Sequence, residues 1–172
     1  MTYTGELARA MTRLGEDARA VFVGINIVSG GQSMHPTFAG VPREKLIEFP
    51  VAEDLQMGFC TGLALAGYLP ICVYPRWDFL LLAANQLVNH LDKMPVIAGV
   101  TPKVIIRVAV GPTYPLHGGP QHTQDHSKAF RRLLTTVHVE TLPASQWIVP
   151  SYEAALAADY STNLVEYGDL YR

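Results

Sequence analysis

Three histidines close together in the sequence, His117, His122 and His126, are the first candidates for chemistry. His122 and His126 are four residues apart, so they could share one face of a helix, as paired histidine ligands of a metal do. No cysteine or carboxylate stands at the spacing of a known zinc motif, and the run begins in a loop rich in proline and glycine. The sequence therefore predicts no metal site here.

Glu53 is the second candidate, because apolar residues precede and follow it: Phe49, Pro50, Val51 and Leu55. A carboxyl group in a poorly solvated pocket has a raised pKa and can share or donate a proton. Glu53 also stands at the predicted start of a helix, where the helix dipole favours an exposed acid. From its position alone, both interpretations stay open.

Composition excludes several classes of protein. The chain has 172 residues, of which 49% are apolar and 16% charged, as expected for one domain with a substantial core. The formal net charge of −2 provides no basic surface for a polyphosphate backbone. No nucleic-acid partner is predicted.

The first twenty residues carry charges throughout and lack the apolar core of a signal peptide. The longest uncharged run, residues 55–75, contains glycines and prolines and ends at Arg76. It predicts a buried helix, a turn and a buried strand rather than a membrane span. Cys60 and Cys72 lie in this run as small core residues. We therefore expect a cytoplasmic protein that does not bind membranes.

Strand and helix patterns alternate along the chain. A continuous apolar run, typical of a strand covered on both faces, predicts a strand at 20–25, and further strands are predicted at 45–49, 69–74, 104–110, 137–140 and 163–166. Helical spacing and capping residues predict helices at 4–14, with Thr4 as its cap, and at 52–66, 79–90, 125–134 and 152–159. The alternation predicts an α/β fold, a three-layer sandwich with a mostly parallel central sheet.

Ligands of such folds bind at the carboxyl ends of the strands. Three loops are predicted to emerge at that edge, at residues 50–53, 74–79 and 111–124. The third loop is long and irregular, and loops of this kind inside compact domains are usually functional. We therefore expect the three loops to face one site.

Five motifs in order, between Val21 and Tyr171, resemble a known family. They are Phe49-Pro50-Val51-Ala52-Glu53; Gly58-Phe59 with Gly62 and Gly67; Leu69-Pro70-Ile71 with Trp77-Asp78-Phe79 and then Asn85-Gln86 and Asn89; Gln121-His122-Thr123-Gln124; and Val149-Pro150-Ser151. Together they resemble the pyrimidine-binding domain of transketolase-like thiamine diphosphate enzymes, and most closely the β subunit of 2-oxoacid dehydrogenase E1 components. The resemblance implies the thiamine diphosphate-binding fold.

The resemblance also implies roles for four residues. Glu53 corresponds to the glutamate that hydrogen-bonds N1′ of the aminopyrimidine and so helps the cofactor lose its thiazolium C2 proton. Phe79 corresponds to the aromatic residue that packs against the pyrimidine ring. Pro75 takes the place of an apolar residue that touches the cofactor in several relatives. His122 corresponds to a histidine near the reacting carbonyl, where it can stabilise charge or relay a proton.

Two asparagines depart from the family pattern. E1 β subunits usually carry acids where this chain has Asn26, after the first strand, and Asn85, before a glutamine of the second long helix. In those relatives the two acids line a water-filled passage between paired active sites. Asparagine cannot ionise, so the resemblance implies that a carboxylate proton path is absent or rerouted here. Both positions still belong to the cofactor site that the resemblance implies.

The sequence lacks one motif of the family, a Gly-Asp-Gly followed about 25 to 30 residues later by an asparagine, which holds magnesium and the diphosphate. We therefore expect residues 1–172 to be a single pyrimidine-binding domain, without a diphosphate-binding domain or a transketolase C-terminal domain. A separate subunit would supply the Mg²⁺ site and share the thiamine diphosphate. Two copies of each chain would form a heterotetramer.

The predicted function is C–C bond cleavage next to the carbonyl of a 2-oxo acid or a ketose, with transfer of the acyl or ketol group. One alternative is a subunit of a two-chain 2-oxo acid decarboxylase, which releases an aldehyde without an acceptor. Another is a relative that binds a partner without catalysis. A flavodoxin-like nucleotide module is disfavoured, because no Gly-x-Gly-x-x-Gly follows the first strand.

Overall fold

The computed structural model describes residues 1–114 and 117–171, and six strands within them form one sheet. The strands are β1 (Ala20–Gly24), β2 (Leu46–Glu48), β3 (Leu69–Tyr74), β4 (Ile105–Val110), β5 (His138–Thr141) and β6 (Thr162–Tyr167). Their order across the sheet is β2-β1-β3-β4-β6-β5, and each neighbouring pair is parallel. The predicted α/β fold is confirmed, with a sheet that is parallel throughout rather than mostly parallel.

Helices cover both faces of this sheet. They are α1 (Tyr3–Glu16), α2 (Glu53–Leu65), α3 (Trp77–Leu80), α4 (Met94–Ala98), α5 (Ser127–Leu133) and α6 (Ser145–Ala157). Successive strand residues point to opposite faces, so Phe22 packs in the core beneath α1 and α6, while Val23 packs in the core beneath α2 and α5. Alternate residues of a strand therefore belong to different cores, one on each face of the sheet.

Three predicted helix details are wrong. The cap of α1 is Thr2 rather than Thr4, since the Thr2 hydroxyl accepts a hydrogen bond from the Gly5 N–H at 3.1 Å. The predicted helix 79–90 is a short α3 followed by 3₁₀ and π turns. Helix α6 begins seven residues earlier than the predicted 152 and contains Pro150. Pro150 is exposed while Ile148 and Val149 are buried, so core packing extends the helix past the proline.

No helix among the described residues combines the length and the apolar character needed to cross a membrane. Cys60 and Cys72 are buried free thiols, in agreement with their prediction as core residues.

Candidate active site

A cavity of about 490 Å³ opens near the carboxyl ends of β1 and β3. Its walls come from the loop after β1, the start of α2, the segment from β3 into α3, and the loop after β4. It is lined by Ile25, Asn26, Gly31, Gln32, Ser33, Val51, Glu53, Pro75, Arg76, Phe79, Leu82 and His122. The three loops expected to face one site therefore do so, although residues 115 and 116 of the third loop lie outside the described residues.

Glu53 is the first residue of α2 and is 8% exposed. The Tyr74 hydroxyl, at the end of β3, donates a hydrogen bond of 2.9 Å to the Glu53 backbone carbonyl and so fixes the start of α2 against the sheet. Within the described part of the chain, the Glu53 carboxylate accepts no hydrogen bond and joins no ion pair. A buried carboxylate that lacks a partner and faces a cavity is suited to bind a ligand group.

The apolar residues expected to shield Glu53 do not all do so. Val51 is 78% exposed and Leu55 is 61% exposed. Leu55 is not among the residues that line the cavity. Val51 lines the cavity but is mostly exposed to solvent, and Leu55 lies on the exposed side of α2. Glu53 is buried all the same, which residue spacing alone does not reveal.

Phe79 and His122 form one side of the cavity. Their rings meet edge to face, with centroids 5.6 Å apart and planes at 83°. The Nδ1 atom of His122 is buried and has no hydrogen-bond partner among the described residues. Gly118 allows this close packing, because a Cβ atom there would lie 2.8 Å from the His122 Cβ. The arrangement holds the imidazole at the cavity wall, with its Nδ1 side packed against the loop at Gly118.

The loop after β1 supplies the opposite wall, and Glu48 shapes it. Asn26 has a φ of 55°, a left-handed conformation that asparagine tolerates better than most residues. The Glu48 carboxylate accepts hydrogen bonds from the N–H groups of Asn26, Val28 and Ser29. Burial alone would raise the pKa of Glu48, but these donors outweigh it and lower the pKa. An acid from β2 therefore stabilises the turn that brings Asn26 to the cavity.

No family model and no curated protein matches this sequence. Among solved structures, the chain is similar to one described as "Split gene transketolase, inactive beta4 tetramer", with a TM-score of 0.66 and 16% sequence identity. The likeness covers 96% of this chain and 51% of the other, so the chain spans about half the length of that structure. The transketolase-like fold is confirmed. At this identity the likeness concerns the fold alone.

Within this transketolase-like fold, Asn85 does not join the other predicted site residues. It is exposed on the helical stretch after α3, and its side-chain oxygen accepts a hydrogen bond of 2.9 Å from the Asn89 amide. The next residue, Gln86, turns instead towards α2 and donates to the Asp54 carboxylate at 3.3 Å. Glu53, Pro75, Phe79, Asn26 and His122 share the cavity, whereas Asn85 lies outside its lining.

Arg76 is a cavity residue that the sequence analysis did not select. It caps α3 directly after β3, and its half-buried side chain reaches the cavity. The sequence does carry a signal for this residue. Arg76 is the charged residue that ends the long uncharged run, at the carboxyl end of a predicted buried strand. Ser33, from the loop after β1, was also missed, and its buried hydroxyl has no partner within the described ranges.

Over residues 1–114 and 117–171, no three histidine, cysteine or acidic side chains gather in a way that could hold a metal ion. His126 instead lies near an acid of α3, with its Nε2 3.8 Å from the Asp78 carboxylate. Gln124 donates to the same carboxylate oxygen at 2.6 Å. These contacts connect the loop after β4 to the start of α3.

Proposed function

We propose that this chain is the pyrimidine-domain subunit of a split thiamine diphosphate-dependent enzyme, which cleaves a C–C bond next to a carbonyl and transfers the acyl or ketol group. The observation that carries the proposal is the Glu53 carboxylate, which is 8% exposed, has no partner among the described residues, and faces the cavity. The transketolase-like fold supports the same assignment.

The residues present fit an aminopyrimidine ring. The cavity volume of about 490 Å³ lies in the range of small-molecule sites, about 300–1,000 Å³. Glu53 would bind an edge of the ring through its carboxyl group, while Phe79 and Pro75 offer apolar surface to the ring. When bound, thiamine diphosphate supplies the carbanion chemistry that cleavage next to a carbonyl requires.

The chain's own side chains would prepare the site for this chemistry. Glu53 would exchange a proton with the ring through its carboxyl oxygens, which accept no hydrogen bond from the described residues. His122 would use its imidazole at the cavity wall to exchange a proton with a substrate oxygen. The ring of Phe79 fixes the His122 imidazole and excludes water from one side of the cavity.

We further propose that residues 1–172 act as one pyrimidine-binding domain, and that a separate subunit holds the diphosphate and Mg²⁺. Exposed apolar side chains support docking to other chains near the cavity: Leu55 is 61% exposed, Leu82 is 64% exposed, and Phe59 is 39% exposed. The solved protein of the same fold is described as a tetramer of β chains. Two copies of this chain with two partner subunits remain the proposed assembly, in the cytoplasm, where the free thiols would stay reduced.

A non-catalytic role in binding a partner is the second candidate. The observation that favours it is that the solved tetramer of the same fold is described as inactive. The two proposals differ in what they require of Glu53. Catalysis needs its carboxyl group, whereas partner binding through exposed apolar surface does not.

The test replaces Glu53 by Gln in the complex reconstituted with the diphosphate-binding subunit. We expect consumption of pyruvate or of fructose 6-phosphate to fall by at least about 100-fold, because an amide cannot exchange the proton. Asp54→Asn is the matched control, since Asp54 is the next residue and is exposed. It should leave turnover within about twofold, as is usual for surface substitutions. Full turnover of the Glu53→Gln complex would favour the non-catalytic role.

A further inference from the structure

Arg76 places a cation in the wall of the cavity. One of its guanidinium nitrogens donates to the Pro75 carbonyl at 2.7 Å. No carboxylate of the described residues forms an ion pair with it, although it shares the cavity with Glu53. The remaining guanidinium N–H groups are therefore available to a ligand.

Several other arginines of the described residues do pair with acids. Arg107 is fully buried and pairs with Glu166 at 2.6 Å, and the more exposed Arg9 and Arg19 also pair with carboxylates. The half-buried Arg76 loses hydration, and this desolvation lowers the pKa of its guanidinium more than the charges of Tyr171 and Asp78 raise it. An unpaired, partly desolvated cation that faces a cavity favours an anionic ligand.

The loop after β4 makes room for the Arg76 side chain. A Cβ atom at Gly111 would lie 2.9 Å from the Cδ atom of Arg76. Only a residue without a side chain lets the arginine stem pass so close to this loop on its way to the cavity. His122 belongs to the same loop, so the cation and the imidazole are positioned together.

We infer that Arg76 binds an oxyanion of the substrate, so that the enzyme selects anionic substrates: the carboxylate of a 2-oxo acid or the phosphate of a phosphorylated ketose. The inference rests on the proposed function, which places the substrate in this cavity. A guanidinium presents two parallel N–H donors, which match the spacing of carboxylate and phosphate oxygens. Glu53 then faces the cofactor ring, and Arg76 faces the substrate anion.

The experiment measures binding to the full chain by NMR, with the Nε–H signal of Arg76 as the reporter. Pyruvate, fructose 6-phosphate and uncharged hydroxyacetone are titrated separately, and inorganic pyrophosphate stands for the cofactor's diphosphate. We expect saturable shifts with pyruvate or with fructose 6-phosphate and none with hydroxyacetone. Whichever of the two anions binds more tightly identifies the carboxylate or the phosphate as the group recognised.

Substitutions test the role of the guanidinium, with backbone amide shifts of the cavity residues as the reporter. Arg76→Gln should weaken anion binding by at least about tenfold, the usual effect of a lost charge-assisted hydrogen bond. Arg132→Gln is the matched control, because Arg132 is exposed and far along the chain on α5, and it should change nothing. Should Arg76→Gln unfold, Arg76→Lys keeps the charge without the paired donors and should still bind several-fold more weakly.

Three results would overturn the inference: equal binding of hydroxyacetone and the anions, unchanged binding in both Arg76 variants, or binding of pyrophosphate alone. Glu53→Gln separates this inference from the proposed function, because that variant should still bind the anion. If the wild-type chain binds none of the anions while turnover still depends on Glu53, only the inference is contradicted. If the wild-type chain binds the anion but the Glu53→Gln complex keeps full turnover, only the proposed function is contradicted.

Discussion

At the scale of single residues, Gly111 matters because of what lies against it. A Cβ atom at this position would lie 1.8 Å from the His122 carbonyl oxygen, which is far shorter than any contact between non-bonded atoms. The neighbour is backbone rather than a flexible side-chain tip, so the loop itself would have to move. Gly111 therefore sets the position of His122 in the cavity.

Gly111→Ala is expected to shift the loop and to displace the His122 imidazole from the edge of the Phe79 ring. The measurement is the NMR shift of the His122 ring protons, together with thermal unfolding. We expect a destabilisation of about 1–3 kcal/mol, the usual cost of overpacking.

Gly62→Ala is the matched control. A Cβ atom there would meet no atom within 4 Å, and Gly62 lies inside helix α2. Alanine is more favourable than glycine in a helix by about 1 kcal/mol, so this variant should be slightly more stable. Unchanged His122 shifts in Gly111→Ala would refute the role assigned to that glycine.

At the scale of elements, Asp92 joins the helical stretch after α3 to the start of β5. It is fully buried, and its carboxylate accepts hydrogen bonds from the N–H groups of Thr135, Thr136 and Val137 at 2.7–2.9 Å. Lys93 also donates to it at 2.6 Å. Burial would raise the pKa of Asp92, but these donors outweigh it and hold the pKa below its ordinary value of 3.8.

Asp92→Asn should lower the free energy of unfolding by about 2 kcal/mol at pH 7, because hydrogen bonds to a charged acceptor weaken. Since the folded pKa is depressed, the stabilisation by the carboxylate is present above about pH 4 and is lost as the pH falls below it. The difference between wild type and variant should therefore narrow at pH 3.

Urea unfolding at both pH values measures this difference. Asp159→Asn is the control, because Asp159 is exposed and should affect stability by less than about 0.5 kcal/mol. A difference that stays constant from pH 7 to pH 3 would show that the charge of Asp92 is not the stabilising feature.

At the scale of the whole molecule, the exposed apolar face of α2 beside the cavity is the surface proposed for assembly. We expect Leu55→Lys to dissociate the oligomer of this chain into monomers. A charged side chain buried at the centre of an apolar contact would have no partner for its charge. Light scattering after size-exclusion chromatography measures the mass.

Leu133→Lys serves as the comparison, since Leu133 is 52% exposed on α5 and far from the cavity lining. It should leave the mass unchanged. If Leu133→Lys dissociates the assembly and Leu55→Lys does not, the contact involves α5 rather than the exposed apolar face of α2.

A buried network joins distant segments of the chain. Arg107 of β4 and Glu166 of β6 form an ion pair with two hydrogen bonds, at 2.6 and 3.0 Å. Tyr152 of α6 and Tyr171 near the carboxyl terminus donate to the same glutamate, and Arg107 donates to Thr37 at 2.8 Å. The charges of Arg107 and Glu166 therefore offset each other inside the core.

The strands and their alternation with helices were predictable from sequence alone, because burial on both faces leaves continuous apolar runs whatever the neighbours are. Because the loops that follow parallel strands emerge at the carboxyl edge of the sheet, the loops that carry Glu53, Phe79 and His122 could also be assigned to one edge. The start of α6 could not be predicted from the sequence, since Pro150 indicates a helix boundary. Only the packing of Ile148 and Val149 overrides that signal.

Pairing between side chains was decided by the tertiary structure. Arg107 and Glu166 are 59 residues apart and meet only because β4 and β6 become neighbours in the sheet. Arg76 carries the same kind of charge, yet it ends at the cavity and forms no ion pair with a carboxylate of the described residues, and Asn85 lies outside the cavity lining. Local sequence encodes which residues are buried, whereas the partner of each polar group depends on long-range neighbours that no local pattern specifies.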